Sequence, residues 1–194
     1  MQQIGTVVRL QVQRSSPKMG EKPRRWYDPA PLVVVEALSI APAGVVGLVA
    51  QGERLVDVHH RDHPASKNQD VNAVSVGFTA HYARMRERFG EHLVEGVAGE
   101  NILVQAEQSF VDDALQDGLV IETRDGQRLA LERIMVAEPC VEFTRYALQL
   151  PREAPSDGAV AEALEFLRHG TRGFYASYAG APVTVRAGDR VFLA

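Results

Sequence analysis

"GLVIETRDGQRLALERIMVAEPC", residues 118–140, reads as two strands around a tight turn that run into the chain's only cysteine. In GLVIET (118–123) and RLALERIMVAEP (128–139), apolar residues recur at the two-residue period of a pleated strand. Asp-Gly between them, inside TRDGQR (123–128), supplies the positive φ that a short connection needs, so a β-hairpin is predicted. The same texture continues outward in IGTVVRLQVQ (4–13), LVVVEALSIAPAGVVGLV (32–49), AVSVG (73–77), NILVQ (101–105) and APVTVRAGDRVFL (181–193). Gly, Pro, Asp or Asn bound most of these runs, and RAGDRV (186–191) predicts a second hairpin.

Only two segments read as helix. FTAHYARMRERFGEHL (78–93) has Thr79 as its cap and Tyr82, Met85 and Phe89 at helical spacing, and SDGAVAEALEFLRHG (156–170) ends at Gly170. Arg84, Arg86 and Arg88 are expected on a solvated face of the first. Many short strands with two peripheral helices favour a β-barrel or sandwich over repeated βαβ units. PREAPSDG (151–158) reads as a surface loop and no low-complexity linker divides the chain, so residues 1–194 are expected to form one domain. A chain of 194 residues is large enough for a sizeable core.

Composition narrows the function classes. One cysteine excludes an internal disulfide and the zinc sites built on several thiolates. The formal charge of −4 and pI near 5.9 argue against a general nucleic-acid surface, although KPRRW (22–26) is a local basic cluster. No Walker motif and no G-x-G-x-x-G opening a helix is present. The start MQQIGTVVRLQVQ lacks a charged segment followed by a long apolar one, and no long uncharged apolar run occurs, so a cytoplasmic protein without membrane partners is the expectation.

Four places carry candidate chemistry. Cys140 follows Pro139 and is flanked by Glu138, Glu142 and Arg145; a thiol reacts or binds metal as thiolate, which a nearby cation favours, while a buried structural cysteine explains the same residue. DVHHRDHP (57–64) packs His59, His60 and His63 beside Arg61 and two aspartates: a metal site through His59 and His63, a cofactor- or substrate-binding loop, and solvated histidines all remain open. EGVAGENILVQ (95–105) places Gly96 and Gly99, then Glu100 and Asn101, just before a strand, as a ligand-facing turn or as an ordinary one. RHGTRGFYASYAG (168–180) carries Arg172, Tyr175 and Tyr178 after a helix end, with Phe174 expected in the core.

Taken in order, GVAGENILV, EPCVEF and TRGFYASYAGAPVTVRAGDRVFL resemble three motifs of the MOSC domain, the module at the C-terminal end of molybdenum cofactor sulfurases and in stand-alone bacterial proteins. They match its G-E-N-[IL] turn, its Pro-Cys segment about forty residues later and its closing R-G…G-D hairpin, over roughly residues 45–194. The first motif departs from the family: GERLVDVHHRDHPASKNQDVNAV keeps a histidine (His60) and an acid (Asp70) but has Asn72 where Lys or Arg is usual.

The resemblance implies a largely antiparallel β-barrel with two or three peripheral helices. It implies Cys140 as the functional thiol, either ligating the molybdenum of a pterin cofactor (molybdopterin) or carrying sulfur as a persulfide. His60, Arg61 and Arg172 would meet the cofactor's phosphate together with the turn at Gly99, Glu100 and Asn101. It further implies reduction of N-hydroxylated compounds with electrons from a partner reductase, or sulfur received from a cysteine desulfurase, and it brings the family's association with pyridoxal phosphate. No flavin fingerprint and no cysteine set for an iron–sulfur cluster is present, so electrons would come from outside the chain. A non-catalytic module binding a small molecule or divalent metal is the alternative.

Overall fold

The computed structural model of the chain describes residues 1–152, 154 and 158–194. The predicted hairpin forms as β10 (Leu119–Glu122) and β11 (Arg128–Val136), with Glu122 opposite Arg128 and Gly126 at φ +76°. It is part of a ring. Beginning with β1 (Gln2–Gln13), the chain makes a hairpin, β2 (Lys18–Met19) and β3 (Trp26–Tyr27), then β4 (Leu32–Val34), β5 (Ala37–Ala41), β6 (Gly44–Leu48), β7 (Arg54–Val56) and β8 (Val74–Phe78). Helix α1 (Thr79–Phe89) and β9 (Ile102–Gln105) precede the hairpin. After it come α2 (Val141–Ala147), α3 (Gly158–Leu167), β12 (Phe174–Ser177), β13 (Val183–Arg186) and β14 (Arg190–Leu193).

Strands β1, β14, β10, β11, β12, β8 and β9 pair in that order, and β9 pairs back onto β1, closing a seven-stranded barrel. Every pairing in the ring is antiparallel except β8–β9, which is parallel because α1 and the glycine turn carry the chain across between them. Closure leaves the barrel no free edge. The upper half of β1 instead pairs β4, and a second sheet, β13-β5-β6-β7, packs beside it. One apolar cluster runs through both, from Val7, Leu10 and Ile102 to Leu38, Val45 and Val185.

Four local expectations need correction. RAGDRV is a turn but no hairpin: β13 pairs β5 in the second sheet, whereas β14 pairs β1 and β10 in the barrel. Asp189 makes that switch, its carboxylate accepting from the N–H of Arg186 at 2.7 Å and of Arg124 at 3.2 Å. Thr79 does not cap α1 through its side chain; its hydroxyl donates to the Ala106 carbonyl instead. Residues 141–147 after the cysteine are helical, and the segment 15–29, with no strand expected in it, contains the β2–β3 hairpin. Part of 151–158, including the start of the second predicted helix, lies outside the described residues.

The helices otherwise follow their patterns. Tyr82 and Met85 of α1 are buried, as are Val160, Ala163 and Leu167 of α3, and Phe174 is in the core. Arg84 and Arg88 lie over the Phe166 ring of α3, 5.6 Å and 4.7 Å from its centre. Among the described residues no helix is long and apolar enough to cross a membrane.

Candidate functional site

The glycine turn is built first, from β1. Gln11 and Gln13 lie on one face of the strand, and their amides donate to the carbonyls of Gly96 (2.6 Å) and Gly99 (2.7 Å). Gly96 has φ +88°, and a Cβ there would stand 2.3 Å from Arg9 Nε; Gly99 has φ +91°. Both positions need glycine. Asn101 ties the turn to its surroundings. Its Oδ1 accepts from the Ser75 N–H and hydroxyl, and its Nδ2 donates to Asp57 Oδ2 at 2.9 Å and to the Gln11 carbonyl at 3.2 Å. Asn101 is 1 % exposed and its amide is fully spent inside the protein, which makes it a positioning residue.

Glu100, next to it, is left differently. One carboxylate oxygen accepts from Tyr82 Oη at 2.9 Å, while the other is buried without a hydrogen-bond partner. Burial raises its pKa against the opposing pull of its own N–H, Tyr82, Arg172 and Arg9. Glu100, Gly99, Arg172 and Tyr175 line one narrow cavity of about 10 Å³, room for about one water. Arg172 donates to the Ala98 carbonyl at 3.0 Å, and its Nε also lacks a partner. Burial works against the guanidinium charge, but Tyr175, Cys140 and Tyr27 outweigh it and hold the pKa above the ordinary arginine range.

Cys140 stands across from Arg172 at the start of α2, half-buried, its carbonyl accepting from the Thr144 N–H. Its neighbours are Phe143, Tyr146 and the buried Tyr27, whose hydroxyl donates to the Val97 carbonyl at 2.6 Å. Burial pushes the Tyr27 phenol well above its usual range, so it stays neutral. Glu142 on the next turn pairs with Arg25 of the hairpin segment, 2.6 Å from Nε. Burial alone would raise the Glu142 pKa; its own N–H, Arg25 and Lys18 together bring it below the usual carboxylate range. Lys67 joins this group, its pKa lowered by burial and by the charges of Lys18 and Arg25.

The histidine loop reaches the cleft through one member. His59 Nδ1 is 3.1 Å from Asp57 Oδ1, and its ring lies 6.0 Å from that of Tyr175. His60 is buried under Gly44, with Nδ1 accepting from the Asp62 N–H. Both His63 nitrogens are engaged, Nδ1 by the Ala65 N–H and Nε2 by the Arg14 carbonyl. Arg61 bonds Asp70 at 2.6 Å beside a different groove, near Pro42 and Tyr178. Among the described residues no set of three His, Cys, Asp or Glu is placed to hold a metal ion.

The structure thus brings together Cys140, Arg172, Gly99 and Glu100, with His59 alongside through Tyr175. Tyr27, Tyr82, Lys18, Arg25 and Lys67 were missed. KPRRW held the only sequence signal for any of them, the basic cluster around Arg25.

No family model matches the sequence, and no curated protein matches it either. Solved structures do. The YuaD protein from Bacillus subtilis is similar over 96% of this chain and 93% of its own, with a TM-score of 0.59 at 13% identity. YiiM from Escherichia coli is similar over 84% of this chain and 64% of its own, with a TM-score of 0.50 at 17% identity. The fold is MOSC-like. At these identities the likeness carries the architecture alone.

Proposed function

We propose that the chain is a MOSC-type protein that works through the Cys140 sulfur at an anion-binding cleft. The carrying observation is that Arg172 and Cys140 pack on one aromatic cluster, the Arg172 guanidinium 5.8 Å from the centre of the Phe143 ring and Cys140 at the edge of the same cluster. A cation beside a thiol favours the reactive or metal-ligating thiolate.

The donor set suits a molybdenum-bearing pterin cofactor. One sulfur would ligate the metal, and Arg172, Lys18, Arg25 and Lys67 offer positive charge to a phosphate. The buried, partnerless Arg172 Nε and Glu100 Oε1 belong to residues that line the narrow cavity behind the cleft, where one water would satisfy them. When bound, the cofactor supplies oxygen-atom transfer, which suits reduction of N-hydroxylated compounds with electrons from a separate reductase. Tyr82 and Glu100 hold a proton at the cleft wall, and Tyr27 keeps water from the inner side of Cys140.

The partly exposed Cys140 also suits a second reading, in which its thiolate takes sulfur as a persulfide from a cysteine desulfurase and passes it on. Molybdenum content of protein purified from a cofactor-producing host, with Cys140→Ser alongside, tests the first. Near-stoichiometric metal that vanishes in the variant supports it. Metal-free protein that gains cyanide-labile sulfur from a desulfurase supports the second, and absence of both refutes the proposal.

A further inference from the structure

The basic cluster KPRRW turns two faces to the protein. Along β3 successive side chains point opposite ways, so that Tyr27 reaches inward to Val97 and Cys140 while Trp26 faces out. On that outer side lies a pocket of about 440 Å³ lined by Pro23, Arg24, Trp26, Arg145, Arg152 and Ala154. Its volume is within the range of small-molecule sites.

Three arginines line it, and among the described residues no carboxylate does. The protein's ion pairs use Arg25, Arg61, Arg86, Arg128, Arg168 and Arg190, and among the described residues none involves Arg24, Arg145 or Arg152. This is local: the chain as a whole carries −4. Two of the three are also held. Arg145 donates to the carbonyls of Pro151 (2.9 Å) and Arg152 (3.0 Å), and the Arg152 guanidinium lies 3.8 Å from the centre of the Trp26 ring. Gly20 closes against the same indole, where a Cβ would stand 2.6 Å from the ring. Restricting a guanidinium beforehand lowers the entropy lost when it binds an anion.

We propose that this pocket is a binding site for a phosphate monoester carrying an apolar group, separate from the Cys140 cleft. Three arginines around one pocket match a dianion better than a single-charged carboxylate, and their forked donors fit phosphate oxygens. Pro23 and the indole edge offer the apolar contact.

Trp26 is the only tryptophan, so its emission reports on this pocket alone. Phenyl phosphate, inorganic phosphate and benzoate are titrated at constant ionic strength, following Trp26 emission and, independently, heat of binding. Phenyl phosphate is expected to saturate below about 10 mM, with benzoate weaker by about tenfold. Arg24→Gln with Arg152→Gln should weaken phenyl phosphate by at least about tenfold. Cys140→Ser should leave the titration unchanged, which separates this site from the proposed function: metal-free protein binds equally well. No saturable binding of any probe, equal affinity for benzoate, or undiminished binding by the double variant each overturns the proposal.

Discussion

The glycine turn at 96–101 and helix α2 meet at Tyr27 and Arg172, and they are held by opposite means. The turn is locked from within: β1 glutamines bind its carbonyls, and Asn101 spends its whole amide on Ser75, Gln11 and Asp57. Helix α2 has only seven residues, too few to stand alone, and is held by aromatic packing under the β2–β3 hairpin and by the Arg25–Glu142 pair. A rigid floor thus lies beside a thiol on an element whose position depends on a two-stranded ribbon. The two carboxylates show the same division. Glu100 in the turn has a raised pKa, and Glu142 on the helix a lowered one.

The contrast breaks most severely at Asn101. Asn101→Ala leaves the Ser75 N–H unpaired in the interior and takes a donor from the buried Asp57 carboxylate, and urea denaturation should show a loss of about 3 kcal/mol or more. Gly96→Ala forces a side chain to positive φ and into Arg9, and should lose about 2 kcal/mol in the same assay. A change where turn and helix meet should move chemistry. Arg172→Gln should slow alkylation of Cys140 by iodoacetamide at pH 7 by about tenfold, with Arg172→Lys restoring most of the rate and circular dichroism unchanged.

The smallest effects have opposite signs with pH. A carboxyl whose folded pKa is raised stabilises below its unfolded pKa, and that contribution is lost as pH climbs through the folded value. Glu100→Gln should therefore gain Tm relative to the parent as pH rises above the ordinary glutamate range. Glu142, with its lowered pKa, contributes above its unfolded pKa and loses that as pH falls, so Glu142→Gln should cost up to about 1 kcal/mol near neutrality and nothing in acid. A Glu142→Gln variant with a flat Tm difference across pH would show that the Arg25 pair does not hold the hairpin.

Legibility followed the range of the forces involved. The β10–β11 hairpin and the glycine turn could be read because strand alternation, Asp-Gly and glycine at positive φ act within a few residues. RAGDRV misled because its turn chemistry is local, whereas the partners of β13 and β14 lie far away in the chain, in β5 for the one and in β1 and β10 for the other. Helix α2 has less than two full turns and shows no period to detect. Arg61 was grouped with His60 by proximity in sequence, yet its side chain turns to Asp70 beside another groove.

The sequence by itself determined a strand-rich chain, one thiol, a turn that only glycine can make and three motifs in MOSC order. Only the tertiary structure decided that β9 closes on β1, that Tyr27, Phe143 and Arg172 gather around the segment of Cys140, and that Trp26 shares a pocket with three arginines. Backbone preference is settled by nearby residues. Which charge faces which thiol is settled by packing between segments far apart in the chain.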